Sequence, residues 1–314
     1  VSEADRARLE ANPNLFLETV IKAYVANSPE NRLPAYDNDL LVGEPLIGFA
    51  DGNDPIFHEF KKKGIIGAFH FTPEEAFSTY LKRQQKNVGD KKPHALSVVS
   101  IIFTATRKTR LSNRPETVMG SPRWQYAFDR GITFMEDTLK HLVSRLEALG
   151  YQAVAPMYTR PLLFLWQLPD GPTSDWSEKH IAYAAGLGTF GLNGGIITTR
   201  GAALHCGSVI TDVALTPTPR AYDNYLAHCL YFRNGSCGRC IERCPSGAIS
   251  ERGYDSRKCF FYHEVDLPRI SKNLGREPEG GDHPPVCSLC QTKVPCENRI
   301  PSDTSANGRR EEKS

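Results

Sequence analysis

Eight of the nine cysteines fall between Cys229 and Cys296. That clustering constrains the last third of the chain more than any hydrophobic pattern does. Its core is C-x2-C-x3-C-P over Cys237, Cys240, Cys244 and Pro245. A segment of this kind is organised by what its thiolates hold, not by a large apolar core. The spacing is the downstream part of the run C-x2-C-x2-C-x3-C-P that binds iron–sulfur clusters in bacterial ferredoxins. The chemistry it points to is transfer of single electrons.

In two-cluster ferredoxins the cysteine before proline ligates the other cluster. Applied here, that rule assigns Cys229, Cys237, Cys240 and Cys296 to one [4Fe–4S] cluster, and Cys259, Cys287, Cys290 and Cys244 to the other. Two details depart from the compact pattern. Asn234 stands where the first cysteine of the run belongs, so Cys229 reaches in over a longer loop. In the second group Pro295 precedes Cys296 instead of following it. Zinc is the alternative for C-x2-C pairs, but a single zinc site with four thiolate ligands leaves four of the eight cysteines unexplained. Disulfides do not suit a chain of this size without a secretory signal. Cys206 lies in an apolar run and reads as an inert buried thiol.

The 314 residues suffice for one substantial domain and a smaller one. A net charge of +2 gives no global basic field of the sort that nucleic-acid binding produces. No run of about 18 apolar residues is present, so no membrane span is expected. No secretory or twin-arginine leader is visible from Val1 onward, and the expected compartment is the cytoplasm.

The expected organisation is an N-terminal helical segment over 1–90, an α/β core over 91–220, a two-cluster ferredoxin-like domain over 221–301 and a disordered tail over 302–314. In the first, Leu15, Val20, Ile21 and Tyr24 share a helical face, and Thr72 caps a helix opening at Pro73. Residues 48–55 read as a loop. Residues 95–104 are nearly continuous in apolar and β-branched types and predict a strand buried on both faces. An amphipathic helix over 131–149 buries Phe134, Leu139, Leu142, Leu146 and Leu149, and Gly150 ends it. Strands follow at 152–156, 195–199 and 206–213. A helix over 176–185 has Ser174 as a possible cap, and 216–219 is a linker. The strand–helix–strand order suggests an α/β core.

Gly186, Gly188 and Gly191 match G-x-G-x-x-G, with Asp212 about 20 residues on. A dinucleotide fingerprint must follow a strand and open a helix. Here the glycines follow a helix and lead into a strand, so that reading is rejected. What remains is a glycine-rich helix end, or a turn whose bare backbone lies close to a large flat cofactor.

Residues 176–193, then 196–198, 207–212, 244–249 and 254–259, resemble the epoxyqueuosine reductase and reductive dehalogenase superfamily. The resemblance covers roughly 95–300 and rests on the Ala185, Gly186, Leu187, Gly188 turn together with the cysteine module. It implies a nitroreductase-like α/β (α+β) core fused to a two-cluster ferredoxin-like domain. It also implies a base-off cobalamin that takes electrons one at a time from the clusters. The cofactor contacts it implies are Lys179, Gly186, Gly188, Thr189, Phe190, Gly191, Asn193, Arg200 and Ser208. An external low-potential donor of ferredoxin or flavodoxin type is the implied partner.

Epoxyqueuosine reductases usually continue into a helical-repeat region that helps bind tRNA, whereas this sequence ends at Ser314 and reads as a short member. Their Gly-Lys-Asn is Gly191, Leu192, Asn193 here, so the lysine is absent. Their aspartate acid has no counterpart at the matching offset.

A reductive cleavage needs a proton donor, and Tyr126, Asp170, Asp175 and His180 are the candidates. Each has a plainer reading: a core tyrosine, a turn residue, a helix-start acid and a packed histidine. The expected activity is cobalamin-dependent reductive cleavage of a small molecule. tRNA epoxyqueuosine reduction and electron transfer without a substrate of its own are the alternatives.

Overall fold

The computed structural model describes residues 2–83, 95–159, 171–202, 204–276 and 284–303. Contacts divide the chain into two units. One comprises 1–106, 129–187 and 204–221; the other comprises 107–128, 188–203 and 222–314. The cysteine-rich unit therefore recruits two stretches from well before 221, which the linear division expected from the sequence does not contain.

The first unit is built on a four-stranded sheet ordered Leu46–Asp51, Ser97–Thr104, Leu204–Thr211, Ala153–Val154. Every pairing is antiparallel, so the core is of the α+β kind and not a parallel α/β sheet. Ser97–Thr104 is buried at every position, as its unbroken apolar run predicts. Leu46–Asp51 is the first strand of this sheet, which corrects the loop reading of 48–55. Gly48 and the Asp51, Gly52, Asn53 turn masked its pattern. Gly48 is required there: a Cβ would lie 2.3 Å from the Ala185 carbonyl oxygen.

Helices cover both faces. Gly207 sits against Met135 and Leu139 of the long helix Pro122–Ala148, where a Cβ would come within 2.8 Å of Leu139. Leu139, Leu142 and Leu146 are fully buried, each contributing roughly 1.5–3 kcal/mol by removal from water. The helix begins nine residues before the expected start, because Ser121 caps it by accepting from the Trp124 N–H at 3.1 Å. Gly150 ends it at φ +94°, with the Tyr151 N–H donating to the Leu146 carbonyl at 3.1 Å. The short helix Glu178–Ala184 packs on the other face. It starts two residues later than expected. Ser177 takes the cap position, while the Ser174 hydroxyl bonds the Trp176 carbonyl instead.

Thr72 and Glu75 form the expected cap reciprocally, at 3.2 and 2.8 Å. The helix Pro13–Asn27 buries Phe16, Leu17, Ile21 and Val25, while Leu15 is 58% exposed. The inward stripe lies one residue along from the predicted one. The 216–219 linker is held in place. Asn14 makes two bonds to the Thr216 backbone, and Thr218 makes two to the Phe49 backbone.

The second unit carries a hairpin, Gly188–Phe190 with Ile196–Thr198, and a smaller one, Ile249–Ser250 with Gly253–Tyr254. A helical run from Ser256 to Asn273 contains a π-helical turn at Tyr262–Asp266. Two small apolar clusters, one around Leu192, Ile197 and Ile249, the other around Met119, Leu267 and Leu289, replace a single large core. The expected tail lies almost wholly outside the described residues.

Candidate metal centres in the cysteine-rich unit

Each thiol in this unit is placed by a local device. Cys229 stands at the cap of Leu230–Asn234, which Gly235 ends in the left-handed region at φ +70°. That reversal turns the chain so that Cys237 and Cys240 face back toward Cys229. Cys296 arrives from the far end of the unit and is fixed through its carbonyl, which accepts from the Ala202 N–H at 2.8 Å. Cys229, Cys237, Cys240 and Cys296 line one cavity of about 20 Å³, walled by apolar side chains that include Leu192 and Ile197.

The electrostatics draw related neighbourhoods, with Cys290 first among the sulfurs that act on Cys240. Burial pushes the Cys240 thiol up to about 12, and the nearby Cys290, Cys229 and Cys237 sulfurs add to it. Cys296 is raised by burial first, then by Cys240, Cys229 and Cys237. Cys287 is raised by burial first, then by Cys290, Cys259 and Cys244 among the charged neighbours. Cys229, Cys237, Cys240 and Cys296 thus share one cavity, and Cys287 has Cys290, Cys259 and Cys244 as neighbours, while Cys290 and Cys244 also pack with Cys240 and Cys296 against the apolar cluster around Leu192.

Four thiols enclosed together resist ionising unless a cationic body compensates them, and a bound metal deprotonates a coordinating thiol outright. Among the described residues no three His, Cys, Asp or Glu side chains converge tightly enough for a single ion. Zinc needs four donors about 2.0–2.3 Å from one point. A four-iron cluster also takes four thiolates but spreads them around a larger body, and Cys229, Cys237, Cys240 and Cys296 would supply that donor set.

Polar residues between the two groups brace them. The Asn193 side-chain amide donates to the Cys290 carbonyl at 3.0 Å. Arg243, inside the C-x3-C loop, donates to the carbonyls of Leu289, Thr292, Glu116 and Asn113. Glu297, 2% exposed, accepts from Arg110 and Arg114. Sequence reasoning missed Arg243 and Glu297. Only their positions beside ligand cysteines mark them.

The other candidates are scattered. Asp170 lies outside the described residues. Tyr126 is half-buried on Pro122–Ala148, within the cysteine-rich unit. Asp175 is buried in the first unit, and its carbonyl accepts from the Phe71 N–H at 2.9 Å. His180 Nδ1 is 2.8 Å from the Ser177 hydroxyl, and its ring packs edge-on against Phe60. Burial, then His70 and Lys179, lowers its pKa to about 3. His180 is therefore neutral at pH 7, and the structure gives it no proton of ordinary acidity to donate.

Glu178 was not singled out by the sequence. It is buried, and burial raises its carboxyl to about 8 against the opposing pull of Ser208 and Trp176. Those two groups bond each other at 3.0 Å, and neither Glu178 oxygen has a sound hydrogen-bond partner among the described residues. Cys206 faces the same layer, and burial pushes its thiol up to about 12.

The glycine turn needs no cofactor to explain it. Gly186 adopts φ +76°, and a Cβ would meet the Pro219 carbonyl oxygen at 2.9 Å. A Cβ on Gly188 would lie 2.3 Å from the Ile197 carbonyl oxygen, and one on Gly191 2.9 Å from Asn193 Oδ1. Thr189 accepts from the His228 N–H, Asn193 is committed to Cys290 and Gly195, and Ser208 is committed to Trp176. Each of these side chains thus has a partner within the protein, and the Thr189 and Ser208 hydroxyls each keep a proton to donate. Lys179 is exposed, and Phe190 and Arg200 are half-buried.

Comparison with known proteins bears on this arrangement directly. Over 250 residues the sequence is 28% identical to an epoxyqueuosine reductase of Synechocystis, covering 76% of this chain and 74% of that protein. Over 261 residues it is 32% identical to an epoxyqueuosine reductase of Bacillus anthracis, covering 81% of this chain and 61% of that one. Along most of its length the chain is similar to epoxyqueuosine reductases. A solved member, epoxyqueuosine reductase from Bacillus subtilis, aligns over 83% of this chain and 63% of its own, at 16% identity and a TM-score of 0.44. No family model matches the sequence. Several superfamily relatives are matched over only about three-fifths of their length. Among the described residues no helix is long and apolar enough to cross a membrane.

Proposed function

We propose that the chain is an iron–sulfur oxidoreductase that reduces epoxyqueuosine in tRNA with the help of a corrinoid. The observation that supports the redox part is the cavity that Cys229, Cys237, Cys240 and Cys296 line together, with the other four thiols of the motif nearby. Cys229, Cys237, Cys240 and Cys296 would hold one [4Fe–4S] cluster, and Cys244, Cys259, Cys287 and Cys290 the other. The substrate follows from the curated relatives, which carry the name epoxyqueuosine reductase. Opening an epoxide to an alkene consumes two electrons and two protons and releases water, so two one-electron centres suit the demand. A bound corrinoid supplies a cobalt that accepts electrons singly. Support for its binding here comes from the similarity to epoxyqueuosine reductases.

One observation favours a second reading, reduction of a small molecule. Leu192 replaces the lysine of the resembling motif and is 3% exposed within the apolar cluster around Cys229. That position therefore presents no cation to a nucleic acid.

The test is anaerobic reconstitution with iron, sulfide and hydroxocobalamin, followed by metal analysis and turnover of an epoxyqueuosine-bearing stem-loop RNA. About eight irons and one cobalt per chain, with queuosine formed, is the expected result. Full metal content without RNA turnover would transfer the reading to a small substrate. Failure to take up iron would end it.

A further inference from the structure

The helical run Ser256–Asn273 turns one face to solvent, and that face is unusual in composition. Phe261 stands 57% exposed at its centre. Arg257, Lys258, Arg269 and Lys272 are charged residues along it, and Glu264 is an acid among them. Asp255 does not offset the cations fully. Its side chain caps the helix by accepting from the Arg257 and Lys258 N–H groups, and it reaches the Arg257 guanidinium only at 3.8 Å.

A groove of about 680 Å³ opens beside Phe261, lined by the cations Arg257 and Lys258, the acids Asp255 and Asp266, and Pro245, Ser246 and Tyr262. Pro245 directly follows Cys244, and Lys258 directly precedes Cys259. Tyr262, which also lines the groove, packs in one apolar cluster with Cys287.

We propose that this groove and helix face are the docking surface for an acidic protein that carries a single electron, with Phe261 as the central anchor. The proposal rests on the reading that Cys244, Cys259, Cys287 and Cys290 hold a cluster. The step is simple to balance. One electron leaves the reduced carrier and enters the cluster, with no bond made and no proton moved. An aromatic anchor ringed by charge is the usual anatomy of a transient protein interface. The groove's own cations and acids balance, and it is Arg269 and Lys272 farther along the helix, against Glu264, that leave the face a cationic excess to steer an acidic partner. The closeness of two ligand cysteines favours a protein donor over RNA as the occupant, since an RNA has no need to approach that group.

The test is stopped-flow reduction of the reconstituted, oxidised protein by a reduced acidic [2Fe–2S] ferredoxin, followed by bleaching of the cluster absorbance. Three variants are compared with the parent chain: Arg257→Glu combined with Lys258→Glu, Phe261→Ser, and Lys22→Glu as a control in the other unit. The double charge reversal should slow the second-order rate about tenfold at low salt, and the gap should close at high salt. Phe261→Ser should slow it severalfold at every salt concentration. Lys22→Glu should change nothing, and reduction by dithionite should be equal in all four proteins. Lys258→Gln provides a milder change should the double variant fold poorly.

Unchanged ferredoxin rates in clusters that dithionite still reduces would overturn the proposal. So would loss of stem-loop RNA binding in the double variant with ferredoxin rates intact, which would mark the face as a nucleic-acid surface. Absence of iron and of any dithionite response would instead bring down the cluster reading, and the docking proposal with it.

Discussion

The Glu297 carboxylate accepts from the Arg114 guanidinium along two edges, at 3.0 Å from Nε and 3.1 Å from Nη2, one residue beyond Cys296. Arg110 adds a contact at 3.3 Å, and the Lys293 N–H donates at 2.6 Å. Glu297→Ala should destabilise the cysteine-rich unit by roughly 3 kcal/mol or more, because it strands two guanidiniums around a buried site. Glu297→Gln should cost less. Urea unfolding checks both, and a loss below about 1 kcal/mol would show that the network is ornamental.

Glu178 predicts an alkaline weakness. Its carboxyl rises from an ordinary 4.5 to about 8 on folding. The stability this contributes is complete below pH 4.5 and is lost as pH rises through 8. Glu178→Gln removes the titration. It should match the parent at about pH 5 and exceed it at about pH 8.5, on the order of a few kcal/mol. Paired melting curves at the two pH values decide it, and equal shifts at both would refute it.

His70 predicts an acid weakness. Burial, then Lys61, lowers its pKa from 6.5 to about 4, and its Nε2 accepts the Ser177 N–H at 3.0 Å. Above pH 6.5 the ring is neutral whether folded or not, and nothing is lost. Between 6.5 and 4 the unfolded chain takes up a proton that the folded one refuses, and stability falls by about 3 kcal/mol from this residue. The denaturant midpoint should drop accordingly between about pH 7 and about pH 4.5, and more shallowly in His70→Gln.

Two glycines with similar backbone angles should respond very differently to alanine. Gly201 has φ +86°, and a Cβ would fall 2.3 Å from the Asn298 nitrogen. Gly235 has φ +70° and open space around it. Gly235→Ala should cost about 1 kcal/mol of backbone strain. Gly201→Ala should cost roughly 3 kcal/mol or more, or block iron uptake, because backbone cannot retreat as a side chain can. Comparable losses for the two would contradict this geometry.

Much of this was legible in the sequence where a local rule fixes the outcome. The buried strand Ser97–Thr104, the Thr72 and Glu75 cap and the Gly150 terminus each follow from a few adjacent residues. The rejection of the glycine fingerprint holds for the same reason, since those glycines follow Glu178–Ala184 and enter Gly188–Phe190. What the sequence hid depends on distant partners. Leu46–Asp51 becomes a strand because Ser97–Thr104 pairs with it and Ala185 leaves no room for a side chain at Gly48. Glu178 and His70 acquire their shifted acidities only by enclosure, and no spacing announces that. Arg243 looks like any surface cation until four carbonyls from separate stretches converge on it.

The chain crosses between its two units five times. The cysteine-rich unit is therefore not a cassette that could be clipped off or appended whole. A fragment beginning at Tyr222 would lack the hairpin that carries Asn193 and the helix that carries Arg110. On the ribosome, the segment 107–128 emerges long before the cysteines it will serve and must wait for them. Under the proposed assignment, the cluster of Cys229, Cys237 and Cys240 could close only once Cys296 has been made.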